Sequence, residues 1–186
     1  MRARTLLAKC LVVFACLLAG SGTALAQITI MPEVRGGVAV YDVNKPGMSM
    51  FDPGQLRNAN VELLFTVPDL NAWTMIGELR PHLGGTVSLS GAESFVYGGL
   101  SWTFRVPVLP VFAEAGLGGA LHNDSLRAGP PRFGCAALFE GQASVGVEVL
   151  PGTSLMATVQ HVTDLGMCGK PDNGLTLAGF RMGVRF

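Results

Sequence analysis

Charge is scarce in this chain: 14% of its 186 residues are Asp, Glu, Lys or Arg, and the two signs balance at 13 each. The basic residues form no concentrated patch. That excludes nucleic acid as a partner, because a phosphate backbone demands clustered Lys and Arg. Long apolar runs are missing too. The one continuous stretch, Cys10 to Ala19, has ten residues, too short to cross roughly 30 Å of hydrocarbon as a helix. Aromatics make up 8%, there are three His and four Cys, and no His/Cys cluster has the spacing of a metal site. What is abundant is apolar and small: 49% hydrophobic residues and 25 Gly. The chain is apolar without the segment that would make it a helical membrane protein.

The N-terminus carries Arg2, Arg4 and Lys9, then the short apolar run, then Ala24-Leu25-Ala26 before Gln27, the three-part layout of a cleaved secretory signal peptide. The expected division is a signal peptide over 1–26 and one domain over 27–186. Cys10 and Cys16 fall inside the segment that is lost, so a lipoprotein is not expected. Removing residues 1–26 leaves 160 residues with 10 Lys+Arg against 13 Asp+Glu, a net of −3. Cys135 and Cys168 remain. In an oxidising compartment they are expected to form a disulfide, with free thiols or a metal pair as the weaker readings.

Eight segments alternate with period two between Gly, Pro, Asn or Asp clusters: about Glu33 to Val43, Ala59 to Val67, Ile76 to Ser90, Phe95 to Val106, Val111 to His122, Cys135 to Val149, Ser154 to Thr163 and Leu175 to Phe186. The faces agree between segments. In the third, Leu79, Leu83, Val87 and Leu89 oppose Glu78, Arg80, His82, Thr86, Ser88 and Ser90. In the sixth, Ala137, Phe139, Ala143, Val145, Val147 and Val149 oppose Glu140, Gln142, Ser144 and Glu148. In the last, the apolar Ala178, Phe180, Met182, Val184 and Phe186 oppose Arg181 and Arg185. A soluble sandwich alternates in the same way. The export signal, the phenylalanine-ended strand and polar rows mixing Glu with Arg favour an all-β fold: an eight-stranded antiparallel up-and-down transmembrane β-barrel, closed because lipid leaves no other partner for strand backbones. Eight strands enclose only their own side chains, so a solute channel is not expected. Glu78, Arg80, His82, Glu114, Glu140, Glu148, Arg181 and Arg185 are expected to pair inside. Trp73, Trp102 and Tyr97 read as wall or interface residues, and His122-Asn123-Asp124 as a loop cap.

His161 and Thr163 share the apolar, outward face of the seventh segment with Leu155, Ala157 and Val159. A neutral imidazole there can take a proton from a hydroxyl if an acid holds its tautomer; an amphipathic histidine at the membrane interface is the plainer reading. From Arg80-Pro81-His82-Leu83-Gly84-Gly85 to Phe186 the chain resembles the lipid A 3-O-deacylase family, outer-membrane barrels with a His-x-Ser-Asn motif on a late strand, an Asn-x-Gly turn and a glutamate two residues beyond it. The matching residues are His161-Val162-Thr163-Asp164, then Asp172-Asn173-Gly174, then Thr176. Phe133-Gly134-Cys135 and Cys168 also resemble a branch of the family in which the two cysteines occur together. The resemblance implies hydrolysis of the 3-position acyl ester of lipid A in the cell outer membrane, contact with lipopolysaccharide, and no metal or cofactor. It implies His161 as general base and Thr163 in the nucleophile's place. Asp164 stands where the family has the asparagine of its oxyanion site, and is a candidate for the orienting acid; Asp172 is a weaker one. Thr176 replaces the family's glutamate. These departures leave open a family member that has lost catalysis and serves a structural role.

Overall fold

In a computed structural model of the protein, residues 32–44, 47, 55–67, 70, 77–123, 133–168 and 174–186 are described. The expected signal peptide, Trp73, Asp124, Asp172 and Asn173 lie outside them. The described residues form eight strands: β1 (Pro32–Tyr41), β2 (Leu56–Phe65), β3 (Glu78–Ser88), β4 (Phe95–Arg105), β5 (Val111–His122), β6 (Ala137–Leu150), β7 (Thr153–Thr163) and β8 (Leu175–Arg185). Each pairs antiparallel with its neighbours in sequence. β1 closes on β8 from Glu33↔Arg185 to Tyr41↔Leu177. The expected up-and-down barrel is therefore formed, with strand limits within a few residues of those read from the alternation. Strands of 10 to 14 residues meet the length of about 9–11 that a tilted strand needs to cross a bilayer.

Alternation sorts the side chains as the sequence reading expected. The outer wall presents Val61, Leu83, Val87, Val96, Leu100, Trp102, Leu117, Val145, Phe180 and Met182, all more than 40% exposed. The lumen divides into two layers. Towards the end at which β1 begins and β8 finishes, charged residues interlock. Arg35 holds Glu114 through both terminal nitrogens, at 2.6 and 2.9 Å, and Glu33 through Nε at 2.7 Å. Arg80 pairs with Glu33 and Glu114 and donates to Thr103 at 2.9 Å. Arg181 donates to Gln142 at 2.8 Å, and Gln142 donates to Glu62 at 2.7 Å. Each charge thus meets opposite charges and donors, the condition under which burial is tolerated. Beyond the network lies an apolar plug of Phe95, Tyr97, Ala120, Phe133, Leu138, Val162, Leu175 and Leu177.

Two side chains depart from the sequence reading. Tyr97 is a lumen residue, 2% exposed, and accepts a hydrogen bond from Asn60 at 2.9 Å. It fits because the facing Gly84 has no side chain: a Cβ there would lie 2.5 Å from the Tyr97 ring. Glu148 is exposed rather than paired inside; at the rim it accepts the N–H of Gly152 at 3.0 Å and caps the β6–β7 turn. The four connections at the end where β1 finishes and β8 begins are on average longer than the three at the other.

Candidate functional site

Along β7 the outward row runs Leu155, Ala157, Val159, His161, while Met156, Thr158, Gln160 and Val162 turn into the lumen. Period-two geometry thus carries an exposed imidazole on the apolar wall, near the end with the longer loops. His161 stands opposite Gly141 of β6 and Thr176 of β8. Directly opposed side chains on one face lie about 4.5–5.5 Å apart at Cβ. Thr176 uses that proximity: its Oγ1 is 2.8 Å from His161 Nδ1. Gly174 packs against the other side of the ring, where a Cβ would fall 2.7 Å from Cε1 and 3.0 Å from Nε2.

A third residue reaches this pair from the start of the β1–β2 connection. Asn44 Nδ2 donates to Thr176 Oγ1 at 2.7 Å, and the N–H of Val43 donates to the Thr176 carbonyl at 3.0 Å. The chain turns onto β8 through Asp42, which is buried and holds φ at +57°, a left-handed conformation that Asp adopts more readily than most residues. Asn44 was not a candidate in the sequence because it lies 132 residues from its partner and belongs to no motif. Only the closing of β1 on β8 brings the two together.

Thr163, the last residue of β7, is also on the outer side but is 8% exposed. Its Oγ1 accepts the N–H of Leu165 at 3.0 Å. His161 makes its hydrogen bond to Thr176 rather than to Thr163. Asp164 is 1% exposed; its two oxygens accept the N–H groups of Gly134 at 3.2 Å and Gly166 at 2.8 Å. The carboxylate is thus engaged in tying the β5–β6 and β7–β8 connections together. Beside it the expected Cys135–Cys168 disulfide is formed, with Cα atoms 5.8 Å apart. Cys135, Asp164 and Cys168 place possible ligand atoms within 4.8 Å of one another. Both sulfurs are consumed in the bridge, however, so the thiolates that a metal would need are absent. The His122-Asn123 cap is present in the described part: His122 Nε2 contacts the Cys135 carbonyl at 2.6 Å, and Asn123 accepts the N–H of Ser94 at 2.9 Å.

A closed eight-stranded barrel with an apolar outside, a polar, ion-paired lumen and a histidine held on its outer wall defines an outer-membrane-type barrel with a candidate site facing lipid. The lipid A 3-O-deacylase (PagL) family profile matches residues 59–185, and the chain belongs to that family. Among solved structures, the outer membrane enzyme PagL is similar at 16% identity and a TM-score of 0.55, covering 82% of this chain and 98% of that one. A de novo designed transmembrane β-barrel is similar at 11% identity and a TM-score of 0.51, covering 84% and 95%. At these identities the likeness is one of fold. No curated protein matches significantly.

Proposed function

We propose that this lipid A 3-O-deacylase-like barrel is exported through a cleaved signal peptide, resides in the cell outer membrane and hydrolyses the 3-position acyl ester of lipid A from its outer wall. The observation that carries this reading is the lipid-facing His161, held through Nδ1 by a hydroxyl of the next strand. That contact leaves Nε2 to act as base when the proton resides on Nδ1. Thr163 lies two residues along the same strand face and is the nucleophile. Its Oγ1 attacks the acyl carbonyl as its proton passes to Nε2; the sugar oxygen leaves with that proton, and water then releases the acyl group with His161 again as base. The N–H of Leu165 points at Oγ1 and favours negative charge developing there. Asp164 serves the site by fixing its two bordering connections.

A second reading, a family member without catalysis that acts through lipopolysaccharide contact, is favoured by one observation. The group on Nδ1 is a neutral hydroxyl, which cannot stabilise an imidazolium as a carboxylate does. Mass spectrometry of lipid A from cells overproducing the protein separates the two. Hydrolysis gives a species lacking one 3-hydroxyacyl chain that disappears with His161→Ala. Unchanged lipid A with a correctly folded barrel, or loss of the chain that persists in His161→Ala, overturns the catalytic reading.

A further inference from the structure

We infer that Asn44 is a positioning residue for His161, acting through Thr176 in place of an orienting acid. The inference rests on the reading of His161 as base and deepens it. The Thr176 hydroxyl has two lone pairs and one hydrogen. Asn44 Nδ2–H, at 2.7 Å, fills one lone pair, and His161 Nδ1 lies 2.8 Å from the same oxygen. The bond from Asn44 holds the Thr176 side chain in the rotamer that sets Oγ1 beside Nδ1, and so holds the ring with Nε2 outward. Without Asn44 the Thr176 side chain is free to change rotamer and withdraw Oγ1 from the ring. The imidazole then loses its one hydrogen bond and the fixed orientation that a base needs. A second contact keeps Asn44 in place: the N–H of Val43 on the Thr176 carbonyl, at 3.0 Å, docks the start of the connection onto β8. An amide and a hydroxyl from two strand ends thus do by geometry what a carboxylate does by charge.

The test is a double-mutant cycle on the full-length protein in detergent micelles with lipid A, joined to nitrogen NMR of labelled His161. Asn44→Ala is expected to lower kcat about three- to tenfold, the rate equivalent of one lost hydrogen bond, with KM unchanged. Combined with Thr176→Ala it should add nothing to the loss from Thr176→Ala alone, because Asn44 acts only through that hydroxyl. In the NMR arm, Asn44→Ala should move the Nδ1 resonance towards that of a ring with no hydrogen bond at Nδ1. Asn44→Asp, which can take the hydroxyl's hydrogen and leave Oγ1 only a lone pair for the ring, should favour the Nδ1–H form. Additive losses in the cycle, or ring nitrogens unmoved by Asn44→Ala, overturn the proposal. If no variant, nor the parent protein, hydrolyses lipid A but Asn44→Ala still shifts the Nδ1 resonance, the positioning role stands and the catalytic reading of His161 fails.

Discussion

The lumen and the outer wall of this barrel are built on opposite principles. Inside, Arg35, Arg80 and Arg181 each meet more than one acceptor, and Glu33, Glu62 and Glu114 each answer at least two donors. Outside, His161 is held by one hydrogen bond to Thr176, and Thr176 is steadied by Asn44. The interior is over-determined, so changing any one charge strands several others. The wall site is a chain of single contacts, and a change there alters chemistry with little effect on folding. This difference explains how the barrel keeps its architecture while three of the family's motif positions hold other residues, at Thr163, Asp164 and Thr176.

The contrast breaks most severely if a lumen charge is removed. Arg35→Ala leaves Glu114 and Glu33 without their main partner and should destabilise the barrel by about 3–5 kcal/mol, read as a lower urea midpoint for heat-modifiable gel migration. Next comes the bridge over the loop end. Cys135→Ser should remove about 2–4 kcal/mol by restoring the freedom of a loop of 33 residues, seen as a lower melting temperature and faster proteolytic nicking between β7 and β8. Gly84→Ala drives a methyl into the Tyr97 ring, and overpacking of this kind costs about 1–3 kcal/mol; the smaller Tyr97→Leu ring-deleting change in the same chain should recover part of it. Smallest on stability is His161→Ala, expected within about 0.5 kcal/mol of the parent because it deletes an exposed side chain, while it abolishes any lipid A hydrolysis. A large loss of stability from His161→Ala would erase the distinction between the two regions.

The barrel was legible in the sequence because period-two alternation is a local signal and a single-residue slip would send a whole strand's charges into lipid. The pairing of Arg80 and Arg181 with glutamates followed from the same rows. Tyr97 was not legible: its aromatic body suits the wall, and its place inside depends on the empty volume at Gly84, a residue on another strand. Glu148 misled for the opposite reason. It lies on the inward row, but near the end of β6, where the lumen opens and a turn N–H is the nearer partner. At the wall site, His161, Thr163 and Thr176 were found by resemblance. The contact between His161 and Thr176 needed the β7–β8 register, and Asn44 needed the closure of the sheet.

That closure is also what completes the wall site. The seam between β1 and β8 joins segments near opposite ends of the chain, and Asn44 meets Thr176 across it. A chain with its first and last strands apart has the histidine but lacks the complete arrangement around it. The surroundings of the histidine are then finished only by the zipping of one seam, together with the cylinder itself.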